Sequence, residues 1–235
     1  MNKLPAYVIY NSPVATTKTI AESVKQSCEE YGIEAFLFDG IWKTEAESFL
    51  QERGITLNEN WCKNSEYYKD RNQVESLIEA FKLPGHQGCF ASHYLLWEKC
   101  IELNTAICVF EYDVNVHRKL PEDILEGWDD VLQICSTAKG TWRHDFTKDY
   151  NFSDFKIIEY PWPHFSLSGS TGYIVKPSGA KKLIETAKEK GYLGADTFLN
   201  RDWIDYKKLS PCIATKSHEF STVEPSKFFD ELKNI

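Results

Sequence analysis

No stretch of the 235-residue chain approaches the roughly 20 consecutive apolar residues of a membrane-spanning helix. The opening MNKLPAYVIYNSP has too short an apolar run for a signal peptide and leads straight into a strand-like segment. The expected setting is therefore a soluble, cytoplasmic one. Positive charge is in deficit: 27 Lys and Arg stand against 35 Asp and Glu, a net charge of -8. That argues against a non-specific nucleic-acid binder unless the bases gather locally. The seven cysteines show no C-x-x-C spacing, and their number is odd. They read as reduced core thiols, which excludes a disulfide framework or a clustered zinc site. Internal repeats, low-complexity runs and linkers are absent too, so residues 1–235 form one domain. Finally, no glycine-rich, lysine-containing phosphate loop follows the first strand, where Asn11-Ser-Pro-Val stands instead. This disfavours a nucleotidyltransferase.

What the chain does have is a long organised stretch from Gly88 to Val116. Phe90, Leu95, Leu96 and Ile101, with Trp97 beside them, predict a buried helix over residues 89–103. Asn104-Thr105 breaks it, and residues 106–110 form an apolar run of strand length, the kind buried on both faces of a parallel sheet. Glu111 and Asp113 follow at once. Two residues apart in an extended chain, they project to the same side. Open α/β sheets bind ligands at the carboxyl ends of their strands, so these acids suit a hydrated divalent metal and a phosphate-bearing ligand.

Upstream, residues 6–10 predict a strand and Asn11-Ser-Pro13 a turn. A helix capped by Thr16 or Thr17 runs to about Tyr31, Gly32 stops it, and a second strand over 33–38 ends in Asp39-Gly40. This β-α-β opening implies a right-handed parallel crossover in a mostly parallel sheet with helices on both faces. Asp39 there either contacts a nucleoside or is simply a turn acid before glycine. Residues 46–53 and 73–81 look helical, and 58–72 reads as a polar, aromatic surface excursion.

Downstream, Leu120 to Leu125 predicts a short helix and 130–135 a strand. Residues 139–170 hold many aromatics and read as a long loop region over the active face, either holding ligand or covering the sheet. A strand over 172–175, a helix over 177–190 ended by Gly191, a helix over 197–204 with Asp196 at its N-cap, a strand over 207–215 and a terminal helix over 226–232 complete the expectation.

Read together, Gly88-Cys-Phe-Ala-Ser92-His93 with Trp97, Val109-Phe-Glu111-Tyr-Asp113-Val114, and Gly172-Tyr-Ile-Val with Ala180-Lys-Lys-Leu183 resemble glycosyltransferase family 25. Gly194-Ala-Asp196 and Pro211-Cys-Ile-Ala214 are weaker matches. The resemblance implies a GT-A-type nucleotide-diphospho-sugar transferase fold, α/β in class. It implies an inverting, metal-dependent transfer of a sugar from a nucleotide-sugar, a UDP-sugar first of all, to an acceptor hydroxyl. Mn2+ or Mg2+ would be held by Asp113 with Glu111, and His218 is either a further ligand or a surface histidine. Asp196 is either the base that takes the acceptor proton, a helix cap, or both. Donor-side candidates are Asn11, Asp39, Gly40, Ser92 and His93. His93 has a second reading, as a buried hydrogen-bonding residue that fixes the Glu111 loop. A Ser92-His93 nucleophile is excluded, because adjacent helical residues project about 100° apart. Acceptor-side candidates are Trp162, His164, Gly172 and Tyr173. The family's acidic motif usually reads Glu-Asp-Asp, whereas here its middle residue is Tyr112.

The acceptor is then a surface saccharide or, less usually, a hydroxymethylated DNA base. The latter requires Lys139, Arg143, Lys148 and Lys156 to form a basic strip. An alternative of another class is a non-catalytic nucleotide-sugar-binding module that has lost turnover. The sugar and the oligomeric state are not legible in the sequence.

Overall fold

A computed structural model describes residues 4–65, 73–136, 155–159 and 169–216. Strands β1 (Ala6–Tyr10) and β2 (Ala35–Asp39) flank helix α1 (Ala15–Glu30), as the opening pattern predicts. Gly32 closes α1 at a φ of 78°, with its N–H on the Glu29 carbonyl and the Ile33 N–H on the Cys28 carbonyl. That is the pair of hydrogen bonds that satisfies the last carbonyls of a helix. The expected threonine cap is not made. The N-cap is Val14, and Thr17 lies inside the first turn, its hydroxyl bonded to the backbone of Asn11 and Val14.

Helices α2 (Lys43–Glu52), α3 (Glu59–Asn64) and α4 (Val74–Lys82) follow. The surface excursion expected over 58–72 begins instead with α3, which buries Cys62; Asn58 accepts from the Trp61 N–H and caps it. Helix α5 (Pro84–Leu103) starts five residues before the predicted Cys89. Pro84 opens α5 instead of interrupting the chain, since a first-turn proline lacks an N–H that no carbonyl there would accept. Strand β3 (Ile107–Glu111) follows, then β4 (Val114–Val116). Residues 120–125 form hydrogen-bonded turns, not the predicted helix. The strand predicted over 130–135 divides into β5 (Val131–Gln133) and β6 (Cys135–Ser136), which join different sheets.

Strand β7 (Lys156–Glu159) carries the Ile157-Ile158 pair, and β8 (Gly172–Val175) and α6 (Pro177–Lys190) fall where the sequence places them. The helix predicted over 197–204 is instead α7 (Ala195–Phe198), which places Asp196 within the helix and Gly194 at its N-cap. The last predicted strand divides at Pro211 into β9 (Tyr206–Ser210) and β10 (Ala214–Lys216). The terminal helix expected over 226–232 lies outside the described residues, as does most of the aromatic loop region.

The main sheet has the order β2-β1-β3-β8-β5-β9-β7. From the pairings, β2, β1, β3, β5 and β9 run one way, and only β8 and β7 oppose them. A small sheet, β4-β10-β6, lies beside it. Alternate residues of each strand enter two separate cores, as the period of two requires. On one face Ile9, Ile107, Val109, Tyr173 and Tyr206 meet α2, α4, α5, α6 and α7. On the other, Val8, Cys108, Phe110, Leu132 and Ile174 meet α1 and the small sheet. All seven cysteines are free and six are buried, so they serve as core thiols. Among the described residues, no helix is long and apolar enough to cross a membrane.

Candidate active site

Strands β1, β2 and β3 end side by side at Tyr10, Asp39 and Glu111, so the chain just past them meets at one end of the sheet. Asp39 there accepts the Ser12 N–H at 3.0 Å, which ties the β1–α1 turn to the end of β2. Ser92 reaches the same edge from α5: its hydroxyl accepts the Ile41 N–H at 2.9 Å and donates to the Gly88 carbonyl at 2.7 Å. A Cβ on Gly40 would lie 2.6 Å from the Ser92 oxygen, so only glycine lets this loop approach the helix. Asn11, Asp39, Gly40 and Ser92 are thus brought together, with Ser92 as the clamp of the loop.

Glu111 ends β3 and Asp113 follows in the turn to β4. Both converge on Lys216 from β10, Asp113 at 3.4 Å and Glu111 at 3.8 Å. Pairing of β10 with β4, which sets Lys216 opposite Val114, delivers this lysine. Tyr112, between the two acids, turns the other way and is buried in the α1-side core. The residue that departs from the family motif thus faces the core, away from Lys216.

The third acid is Asp196 of α7. Its Oδ1 accepts the Ser170 N–H at 2.9 Å and lies 2.7 Å from the Ser170 hydroxyl, which is also 2.7 Å from Glu111 Oε1. A hydroxyl has one proton, so Ser170 links the two carboxylates through a single hydrogen.

Behind Glu111 runs a buried relay. Trp97 Nε1 donates to the Tyr173 hydroxyl at 2.9 Å, that hydroxyl lies 2.9 Å from His93 Nδ1, and His93 Nε2 faces Glu111 Oε1 at 3.5 Å. With the Tyr173 O–H donating a hydrogen bond to Nδ1, the imidazole carries its hydrogen on Nε2, toward Glu111. His93 is thus fully buried, with Nε2 turned toward Glu111. Tyr173 is fully buried, its hydroxyl between Trp97 and His93, and shows no surface to an acceptor. Gly172 is a packing glycine, since a Cβ there would lie 2.6 Å from that of Cys135 and 3.1 Å from the Phe110 ring. His218, Trp162 and His164 lie outside the described residues.

Three carboxylates share one lysine, a formal excess of two negative charges in a largely enclosed place. The titration behaviour follows. Burial pushes Asp113 up, and the Glu111 charge adds to this, bringing it to about 7. Burial and the Glu111 charge also raise Asp196. On Glu111 burial acts in the same sense, but the Lys216 ammonium, His93 and Ser170 outweigh it and hold the carboxyl down at about 2. Lys216 is raised: burial opposes its charge, and the attraction of Glu111, Asp113 and Asp196 prevails. One proton-shy acid thus sits among two proton-retaining ones.

These residues fit a divalent cation. Asp113 Oδ1 is buried with no hydrogen-bond partner, and the local charge is under-compensated. Cys89, His93 and Glu111 also hold ligand atoms within 4.8 Å of one another. Burial, then the Glu111 charge, pushes the Cys89 thiol well up, and a protonated thiol with an imidazole is a poor donor set for Mn2+ or Mg2+. Lys216 and Ser170 escaped the sequence reading. A single lysine in an Ala-Thr-Lys strand and a serine in Ser-Gly-Ser-Thr carry no local signal.

Comparison with known proteins identifies the family. The sequence profile described as "Glycosyltransferase family 25 (LPS biosynthesis protein)" matches residues 17–199. "Procollagen galactosyltransferase 1-A" of Xenopus laevis is 26% identical over 192 residues, 76% of this chain and 28% of its own length. A Haemophilus influenzae protein named "Putative glycosyltransferase" is 28% identical over 204 residues, 82% of this chain and 65% of its own. A Bos taurus protein named "Probable inactive glycosyltransferase 25 family member 3" is 26% identical over 122 residues, 49% of this chain and 20% of its own. The chain thus spans less than two thirds of each of these relatives. The match over 17–199 takes in the helix, the acid pair and Asp196, and on it the chain belongs to glycosyltransferase family 25.

Proposed function

We propose that the chain is a metal-dependent, inverting glycosyltransferase that moves a sugar from a nucleotide-sugar, a UDP-sugar in the first instance, to a saccharide hydroxyl. The observation that carries this reading is the meeting of Glu111, Asp113 and Asp196 around one lysine at the carboxyl ends of the strands. Asn11, Asp39 and Gly40 line the donor end, with Ser92 holding their loop in place. Asp113 and Glu111 hold the cation, Mn2+ or Mg2+. Bound there, a divalent ion supplies positive charge against the diphosphate as it leaves. Asp196 takes the proton of the acceptor hydroxyl. Its raised proton affinity suits that task, and Ser170 grips its Oδ1 and so leaves Oδ2 for the acceptor. The saccharide acceptor follows the family description, lipopolysaccharide biosynthesis.

The test is thermal unfolding with a panel of nucleoside diphosphates and UDP-sugars, each with Mn2+, Mg2+ or chelator, followed by transfer assays on the donor that binds. A ligand at about 100 times its dissociation constant adds roughly 2.7 kcal/mol, a readily measured shift. A metal-dependent shift lost in Asp113→Ala, and turnover lost in Asp196→Asn, are the expected results. Binding with no turnover under any metal favours the non-catalytic module instead, a state that the name of the Bos taurus relative gives to a member of the family. No shift with any nucleotide ends the donor-site reading.

A further inference from the structure

The sequence match to the family ends at residue 199, yet the only cation described against the acid pair, Lys216, lies beyond it. We infer that Lys216 is a resident counter-ion that occupies the acid pair while no metal is bound and is handed over to the donor's diphosphate when a divalent cation takes its place. The hand-over half rests on the nucleotide-sugar reading above; the competition with metal does not.

Three observations carry it. Lys216 Nζ lies 3.4 Å from Asp113 and 3.8 Å from Glu111, so it already stands against both acids proposed to hold the metal. A second cation cannot bind the same oxygens without repelling the ammonium, because like charges a few ångströms apart in a partly dry site interact by several kcal/mol. Asp113 nevertheless keeps one oxygen, Oδ1, buried and without a hydrogen-bond partner. The ammonium therefore satisfies the pair incompletely and leaves a position from which a harder, doubly charged ion can begin to bind. Lastly, the lysine side chain is 26% exposed, whereas that of Asp113 is 4% exposed. The lysine thus keeps some solvent access that Asp113 lacks, and a diphosphate docked at the ends of the strands would compete with the acids for its ammonium. A four-carbon stem with a compact charge suits such a change of partner better than a rigid guanidinium.

Lys216 is thus a positioning and charge-balancing residue. It keeps three acids from repelling one another in the empty site, and it raises the metal concentration needed to fill the site until nucleotide is present. Metal and donor then bind cooperatively, because each removes the cost of displacing the lysine.

The experiment uses the full chain and three proteins: wild type, Lys216→Met and Lys216→Arg. Mn2+ alone is titrated by electron paramagnetic resonance or calorimetry without nucleotide, and UDP is then titrated at fixed Mn2+. Lys216→Met is expected to bind Mn2+ about tenfold or more tightly than wild type and to bind UDP with Mn2+ correspondingly more weakly. Lys216→Arg, which keeps the charge, is expected to stay near wild type in Mn2+ affinity. Lys216→Met is also expected to melt lower than wild type in chelator and to recover more than wild type when Mn2+ is added. That recovery is read even where the variant is too unstable to titrate. Mn2+ binding to Lys216→Met that is unchanged or weaker, with no extra recovery, overturns the competition. Tighter Mn2+ binding with unaltered UDP affinity overturns the hand-over. A wild type that binds no nucleoside diphosphate in any metal ends the proposed donor site and the hand-over with it, while the Mn2+ titration still decides what Lys216 does to the acids.

Discussion

The two ends of the main sheet treat buried acids in opposite ways. Where β5 and β9 begin, Asp130 is fully buried and has its own cation: Lys182 reaches it at 2.7 Å, and the Asp205 N–H donates to the same oxygen at 2.8 Å. The hollow at that end is lined by Trp128, Asp129, Lys176, Asp205 and Lys207, and its lysines are already engaged, Lys176 over the Trp128 ring at 4.2 Å and Lys207 with Asp205 at 3.3 Å. At the other end three acids divide one lysine. One acid to one lysine balances the charge locally, although Asp130 Oδ1, like Asp113 Oδ1, has no hydrogen-bond partner. Three to one leaves a shortage of positive charge, and that shortage, not the presence of acids, is what recommends this end as the candidate site.

The comparison can be broken most forcefully at Asp196. Asp196→Asn is expected to lower kcat by about 10²–10⁴ while leaving nucleotide affinity near wild type, as measured by steady-state kinetics beside calorimetry. Retained turnover would move the base elsewhere. At the other end, Asp130→Ala is expected to cost about 2–3 kcal/mol in denaturant unfolding, through the lost ion pair and an unpaired Asp205 N–H, with activity per folded molecule unchanged.

Asp113→Asn should act in the reverse sense in chelator. The Asp113 carboxyl keeps its proton to about pH 7 when folded, whereas the unfolded chain releases it near pH 4. Between these values the folded state binds more protons, so stability falls as pH rises. The asparagine variant is therefore expected to be more stable than wild type above pH 7 by about 1–2 kcal/mol, and no more stable below pH 4. Glu111 has the opposite sign: held near 2, it contributes stability above its ordinary range that is lost as pH falls toward 2. Melting curves from pH 3 to 9 separate the two. The smallest effect belongs to Lys182→Met, expected to cost about 1 kcal/mol, because the lysine is half exposed and the Asp205 N–H still bonds the Asp130 oxygen it leaves. A loss as large as that of Asp130→Ala would mean the two partners are equally buried in effect.

Much of the scaffold was legible because it rests on local pattern. Helix 177–190 has apolar Ala180, Leu183, Ile184 and Ala187 at helical spacing between a proline and a glycine, and it forms with those bounds. Strand β3 is an uninterrupted apolar run followed by acids, and it forms within a residue of its expected position. The failures share a cause. The strands predicted at 130–135 and 207–215 each divide to serve two sheets, a tertiary demand that no window of sequence contains. At the site, Glu111, Asp113 and Asp196 were visible as acids near element ends. Ser170 and Lys216 acquire their roles only when distant elements meet, Ser170 being 59 residues from Glu111 along the chain. Tyr112 shows the same limit: its neighbours in sequence face the site, and it faces the core.

The position of Lys216 on β10 also has a consequence for how the molecule comes into being. Asp113 is made 103 residues before the lysine that accompanies it, which at ribosomal rates of about 5–20 residues per second is an interval of roughly 5–20 s. At the start of that interval β3 has one of its two neighbours, β1, but β8 follows later and β10 does not yet exist to bring Lys216 to the acids. The nascent chain thus carries Glu111 and Asp113 without their lysine, and β10, the strand that completes the small sheet and seats it, is the last part of the described fold to be synthesised.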